Sequence, residues 1–597
     1  MATQKALIED AFDDVSVGAY EIDKWGTWKK DDDGERKQLA NFSAEIVEEV
    51  RYVDGRTTET HLKMKGRNQV ERFAEVVIPA DHFPGMGWVM SAWGSTAVIT
   101  PGGGSKDDLR AAIQLRSVPK RTTVYKAIGW TADQNGPKFI HAGGAISAKG
   151  NDPNVQVRLS TELMRFDLTS DGIDIPEAIE ATLQLVELGP HRITWPLLAA
   201  TFVPLYGPVD FAMHVTGRTG TFKSEMISLF QSHFGASMDA RHLPASWSST
   251  PNALEAQAYY ACNAPLVVDD FVPGGTSWQC RTLQANADKI IRAQGNQSGR
   301  ARLTDTSHLQ QTMYPRGVIL STGEDTPEGH SVRGRMMIME LTPGDITANR
   351  LTLCQKNRRL YPATTAALVQ HLAKSPANLD AQADFLRSKF LEIGHSRTPT
   401  MLARLSVAID HVLTWMQTAA DLEPKYVEAL KNDARASIVE AGRTQKQYLE
   451  AADPCECFCN TIRQILATGL GHLRTINGGI PSKATTLGWV SEQSMGDVPT
   501  YKSRGICLGW INWAKGEVFI EHNAGYALIK KVGGADLGLT KQTLLKRLKD
   551  AGLLTRVEDD RQRNTVRITA EEHPRTVLAM PITEVLETQE VPQDDDY

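Results

Sequence analysis

The stretch "FAMHVTGRTGTFKSEMISLFQSHFG", Phe211 to Gly235, comes within one residue of a phosphate-binding loop. Such a loop reads G-x-x-x-x-G-K-[ST] between a strand and a helix. Gly217, Lys223 and Ser224 stand at the required spacing, while Phe222 occupies the second glycine. The flanks fit the pattern: "FAMHV" is an apolar run of strand length, and "SEMISLFQSHF" places apolar residues on one helical face. Gly217, Thr219, Gly220, Thr221 and Phe222 would wrap the phosphates, the two glycines freeing backbone amides to turn inward. Lys223 would reach the β- and γ-phosphates of ATP and Ser224 would ligate Mg²⁺. The helix N-terminus adds a dipole that favours anions.

Two further runs supply what such a loop needs. "APLVVDDF", Ala264 to Phe271, is an apolar strand ending in two carboxylates. Asp269 is assigned to the Mg²⁺ shell and Asp270 to polarising the attacking water. The 46 residues from Lys223 to Asp269 leave room for helix, strand and helix, the spacing of an additional-strand P-loop ATPase. "YPRGVILSTGED", Tyr314 to Asp325, is another buried strand whose polar end offers Ser321, Thr322 or Glu324 to the γ-phosphate, and Thr322 is carried forward as the candidate. "GHSVRGRMMIMEL" then sets Arg333 and Arg335 before a further apolar strand. An arginine there can cross a subunit boundary to a neighbour's phosphate, although either residue equally suits a surface ion pair.

At 597 residues the chain exceeds one hydrophobic core, and the text divides into units. Residues 1–200 read as a β-rich N-terminal module, with a hairpin expected at Asp54-Gly55. Residues 201–350 alternate strands and helices, 351–500 are mostly helical, 501–587 mix short strands and helices, and 588–597 form a disordered acidic tail. The fold class expected is multidomain α/β with a P-loop core. No apolar run is long enough for a membrane span, the N-terminus lacks a secretory signal, and seven cysteines suit a reducing cytoplasm. A net charge of −6 disfavours a surface basic all over but not a narrow basic channel.

The blocks "GRTGTFKS", "LPASWSSTPNALE", "LVVDDF", "RAQGNQSGRARL" and "PRGVILSTGEDTPEGHSVRGR", with "YKAIGW" and "HAGGAI" upstream, resemble an ATPase domain of uncharacterised function found on bacterial mobile elements. That family is similar to the MCM-like replicative helicases of staphylococcal cassette elements, and the likeness covers most of residues 40–350. The resemblance implies an AAA+ fold, ATP hydrolysis, assembly into a homo-oligomeric, hexameric ring, and translocation on single-stranded or forked DNA. By position, Lys223 and Ser224 match the Walker A pair and Asp269 and Asp270 the Walker B pair. Arg335 best matches the arginine finger, ahead of Arg333. Arg397 resembles the second-sensor arginine, with Arg404 the runner-up. Asp270 departs from the usual Glu, and Ser/Thr replaces the usual sensor Asn.

Nucleic-acid contacts are expected in two places. "LTKQTLLKRLKDAGLLTRVEDDRQRNTVRIT", Leu539 to Thr569, reads as a winged helix, with Thr540 as N-cap and Gly552 as stop. Lys541, Gln542, Lys546 and Arg547 would touch DNA from the helix, and Arg561 and Arg563 from a wing whose charged turn precedes "NTVRIT". "KIIRAQGNQSGRARL" gathers Lys289, Arg292, Arg300 and Arg302 in a loop that would line a channel, contact nucleotide across an interface, or form a basic surface. Cys455, Cys457 and Cys459 lack zinc-site spacing and read as thiols at a helix start. Trp88, Trp93 and Trp130 fit base stacking or, more commonly, core packing. Together these point to an ATP-dependent, ring-forming DNA helicase of a phage or mobile element. The alternatives are a nucleotide-dependent DNA-binding initiator without unwinding, or a remodelling ATPase of a defence system.

Overall fold

The computed structural model describes residues 14–299, 301, 312–393, 397–492, 500–537, 539–557 and 564–586. The chain is a multidomain mixture of helices and sheets. Near the N-terminus the strands β1 (Phe42–Val53) and β2 (Thr58–Asn68) form the expected hairpin, pairing antiparallel up to Val53 and Thr58. Gly55 takes φ 85°, the left-handed value that glycine adopts without a Cβ clash. Trp88 and Trp93 are buried edge-to-face at 4.9 Å in this module's own core, so packing has claimed them. Trp130 donates its indole N–H to the Leu205 carbonyl at 2.9 Å.

The hairpin tip reaches the next unit. Asp54 is buried, accepts the Arg56 and Thr57 amides at 2.8 Å each, and accepts the Tyr259 hydroxyl at 3.2 Å. Arg316 lies over the Tyr259 ring at 3.9 Å, two residues before a strand of the central sheet.

The centre is a five-stranded parallel sheet. Helices α1 (Ile175–Val186) and α2 (His191–Phe202) precede it. Its strands are β3 (Ala212–Thr216), β4 (Ala245–Ser246), β5 (Pro265–Phe271), β6 (Val318–Gly323) and β7 (Met336–Glu340). They lie in the order β4-β5-β6-β3-β7, every neighbouring pair parallel. Residues such as Met213, Val215, Val267, Leu320 and Ile338 are fully or almost fully buried, as continuous apolar strands covered on both faces must be. Helix α3 (Lys223–Gln231) follows β3, and α4 (Ser277–Asn296) connects β5 to β6.

One hydrophobic cluster joins this sheet to α1 and α2 and to helices α5 (Thr398–Ala419) and α6 (Pro424–Glu450). The core therefore runs across residue 200 instead of stopping there.

The C-terminal unit has a separate core. Helix α7 (Pro454–Thr468) leads to a mixed sheet of β8 (Gly471–Thr475), β9 (Ile506–Asn512), β10 (Glu517–Glu521), β11 (Val566–Ala570) and β12 (His573–Pro581), in the order β8-β9-β10-β12-β11. Helix α8 (Lys541–Asp550) starts at the Thr540 cap, which accepts the Thr543 amide, and buries Leu544, Leu545 and Leu548. The charged turn expected before "NTVRIT" falls on residues 558–563, outside the described residues, and "NTVRIT" itself leads into a hairpin. Its strands are β11 and β12, joined at Glu571 and Glu572 (φ 51° and 61°), and Arg556 contributes only a bridge to Ala579. Cys455, Cys457 and Cys459 lie along the first turns of α7, as a helix start predicts.

Among the described residues, two histidines are wholly buried in the central unit. His214 on β3 hydrogen-bonds the Asp325 carbonyl through Nε2 at 2.9 Å, so that nitrogen carries the proton. Nδ1 then accepts from Ser321 Oγ at 2.9 Å, and Ser321 accepts the Trp247 indole N–H at 2.9 Å. His233 stacks on Tyr361 with ring centroids 4.8 Å apart. Burial pulls both from the ordinary 6.5 down to about 4. The unfolded chain thus takes up protons near pH 6.5 while the native chain does not until about pH 4. Stability from these groups is intact above pH 6.5 and is lost as pH falls through that window. Thermal denaturation should show this fall, and His214→Asn should make it shallower; an identical slope contradicts the assignment.

Candidate nucleotide site

The turn from β3 into α3 has backbone requirements that explain its residues. Gly217 has φ 155°, and a Cβ there would lie 2.3 Å from the Leu341 carbonyl oxygen. Gly220 has φ 85°. Phe222 precedes α3 with φ 65° and ψ 24°, a left-handed conformation. That explains the glycine usual at this position. A phenylalanine meets the same demand at a cost of about 1–2 kcal/mol. The residue is 41% exposed.

Lys223 points back into the loop and donates to the Gly217 and Arg218 carbonyls at 2.7 and 2.8 Å. Burial lowers its pKa, opposed by the charges of Glu324, Asp269 and Asp270. Ser224 donates to Asp269 Oδ1 at 2.8 Å. Thr322, buried on β6, donates to the same oxygen and accepts the Asp270 amide at 3.2 Å. Thr219 donates to the Glu324 carboxylate. The loop, the Asp pair and the end of β6 therefore meet at one edge of the sheet. Thr322 is engaged with the two aspartates, whereas Glu324 stands exposed at the loop.

Asp270 owes its position to a break in the strand. The β5–β6 register shifts between Val268 and Phe271, and Asp270 takes φ 71°. A bulge re-aims a side chain, and left-handed backbone at a non-glycine residue costs about 1–3 kcal/mol. Asp269 and Asp270, which would point to opposite faces of a regular strand, are thereby freed from that alternation.

The arginines sit elsewhere. Arg335 immediately precedes β7, and its carbonyl accepts the amide of Ala212, the first residue of β3. It donates to Asn296 Oδ1 at 3.0 and 3.3 Å and to the Ser331 carbonyl and hydroxyl at 2.6 and 2.7 Å. Arg397 donates to the Gly295 carbonyl at 2.7 Å, and Arg404 to the Pro208 carbonyl at 2.5 Å and to Asp380 at 3.3 Å. Arg333 donates to the Pro327 carbonyl at 3.1 Å. Arg335, Arg397 and Arg404 thus lie where the strands begin, about 16 Å along β3 from its phosphate-loop end. Among the described residues, no hydrogen bond joins these three to the loop 217–224 or to Asp269 and Asp270.

The residues expected to contact DNA are spread over several elements. Lys289 and Arg292 belong to helix α4 and not to a loop; Lys289 pairs with Glu255 at 2.6 Å and Arg292 with Asp288 at 2.7 Å. Lys541 is drawn in, donating to the His522 carbonyl and lying 4.7 Å from the Tyr526 ring centre. Arg547 lines a cleft of about 350 Å³ with Asp288, Arg292 and Ser331. Gln542 and Lys546 remain exposed on α8. Arg300, Arg302, Arg561, Arg563 and the tail 588–597 lie outside the described residues.

Residues 20–311 match the family model described as a domain of unknown function, DUF927. No curated protein matches the chain. Among solved structures, "SCCmec type IV Cch - active helicase" aligns over 96% of this chain and 100% of that one, with TM-score 0.50 and 15% identity. The "A form apo structure of NrS-1 C terminal region-CTR" aligns over 89% and 96% at 10% identity, with TM-score 0.28. The likeness of fold rests on the first. Among the described residues, no helix is long and apolar enough to cross a membrane.

The loop geometry gives a direct test. Phe222→Gly should raise the unfolding free energy by about 1 kcal/mol, and the β-branched Phe222→Val should lower it, because both act on the left-handed backbone. Chemical denaturation of the two variants measures this; a glycine variant less stable than the parent contradicts the strain.

Proposed function

We propose that the chain is an ATP-driven DNA helicase or translocase of the AAA+ class, working as a hexameric ring in the replication of a phage or mobile element. The observation that carries the reading is the convergence of Lys223, Ser224, Asp269, Asp270 and Thr322 at one sheet edge. The strand order supports it, because β6 lies between the loop strand β3 and the aspartate strand β5, the arrangement of additional-strand P-loop ATPases. The helicase-like overall fold supports the coupling to DNA.

The residues fit ATP with Mg²⁺. Lys223 already occupies the loop among carbonyls and faces three carboxylates. A triphosphate added there leaves negative charge in excess, which a divalent cation balances. The Ser224 hydroxyl and the Asp269 carboxylate are hard oxygen donors suited to holding it. Bound Mg²⁺ supplies charge neutralisation across the β- and γ-phosphates. Lys223 exchanges its carbonyl partners for phosphate oxygens, Asp270 accepts the proton of the attacking water, and Thr322 holds the two aspartates in register.

The arginines at the other edge support assembly into a ring. Arg335 serves the nucleotide of the adjacent subunit, with Arg397 beside it and Arg333 and Arg404 in support of the same surface. The C-terminal helix and hairpin act as a winged-helix module, with Gln542 and Lys546 turned toward DNA.

Lys223→Ala should abolish ATP turnover while the C-terminal unit stays folded, and the parent should show turnover stimulated by single strands and unwinding of forked duplex. Tight binding of duplex DNA without unwinding would point instead to an initiator. Arg335→Ala should lower turnover by about 10³-fold or more. Mixing Lys223→Ala with Arg335→Ala subunits should restore part of the turnover, because some interfaces then combine an intact loop with an intact arginine. Absence of rescue contradicts action between subunits.

A further inference from the structure

Three consecutive residues close helix α4, and each performs a different task. Gln294 is fully buried and donates to the Val209 carbonyl, and to the Gly317 carbonyl at 2.9 Å, which fixes the helix end to the starts of β3 and β6. The Gly295 carbonyl accepts from Arg397 at 2.7 Å. The Asn296 side chain accepts both Nε and Nη2 of Arg335. Ser331 closes the cluster from the other side, its hydroxyl accepting from Arg335 at 2.7 Å and from Arg292 at 2.9 Å.

The choice of acceptors is informative. Among the described residues, the hydrogen bonds of Arg335 and Arg397 all go to neutral oxygens. Carboxylates are the usual partners of guanidinium groups, and a bidentate pair would hold Arg335 more firmly. It would also cancel its charge. Neutral acceptors at a helix C-terminus hold cations through partial negative charge while leaving the full positive charge available to an anion. Gly295 matters for space: a Cβ there would lie 2.5 Å from Arg335 Cδ and 2.7 Å from Cγ. The arginine stem therefore lies directly over the glycine.

We infer that Asn296 and Gly295 are positioning residues, which hold Arg335 extended and charged so that it reaches the triphosphate bound by an adjacent copy of the chain. This rests on the reading of Arg335 as acting between subunits. The neutrality of Asn296 is the essential property, because Asp at the same position would keep the geometry and remove the charge.

The test uses the full-length protein with ATP, Mg²⁺ and single-stranded DNA, and compares Asn296→Ala, Asn296→Asp, Gly295→Ala and Arg335→Ala. The three new variants should lose roughly 10- to 100-fold in kcat, as misplacement of a reacting group does. KM for ATP should stay within about twofold, since each subunit's own loop is untouched. Asn296→Asp should melt at or above the parent temperature while turning over poorly, a split that a structural role does not produce. Adding Asn296→Ala to Arg335→Ala should cost nothing further, because both act through one group. Parent-like turnover in Asn296→Ala and Asn296→Asp, with Arg335→Ala inactive, overturns this inference and leaves the intersubunit reading standing. Parent-like turnover in Arg335→Ala overturns both. Losses that simply follow lowered melting temperatures also overturn the positioning role.

Discussion

A parallel sheet has two chemically different edges, and this protein separates its functional groups along that difference. Because β3, β5 and β6 all point the same way, the residues following them are delivered to a common edge. That is how Ser224, Asp269, Asp270 and Thr322, widely spaced in sequence, come within hydrogen-bond reach. Arg335 is delivered by the start of β7 and so appears at the other edge. Helix α4 spans the two: it begins seven residues after Asp270 and, at 20 residues, is about 30 Å long. Its capping box at Thr276 and Gln279 fixes one end, and Gln294 fixes the other. A rigid element of this kind connects the end of the sheet that carries Asp270 to the end that carries Arg335.

Strain marks the phosphate edge. Phe222 and Asp270 are both left-handed non-glycine residues, and they flank the space between loop and strand. Each costs stability that the surrounding packing must offset, and such costs persist where geometry serves a function. The opposite edge shows a different economy, with two guanidinium groups, Arg335 and Arg397, held by neutral acceptors. Burial and the neighbouring Arg397 and Arg292 lower the pKa of Arg335, as crowding of like charges should.

Much of the phosphate edge was legible in the sequence because loop, strand and spacing are local patterns. Lys223 and Ser224 beside Asp269 follow from them, as does the hairpin at Asp54-Gly55. The bulge at Asp270 was not legible, since it arises from pairing with β6 and leaves no signature in "VVDDF". The Trp247–Ser321–His214 chain was hidden for the same reason: its members lie far apart in sequence and meet only in the sheet. The basic run around Lys289 looked like a loop because of its glycines, yet the helix continues through Gly295, whose missing side chain accommodates Arg335.

The most direct measurement is a structure of the assembled protein with Mg²⁺ and a non-hydrolysable ATP analogue. The account predicts triphosphate between Lys223 and Asp269 of one subunit, with the γ-phosphate met by Arg335 of the next, still held by Asn296. A γ-phosphate whose only arginine contacts come from its own subunit, or a nucleotide bound away from Lys223, would contradict it.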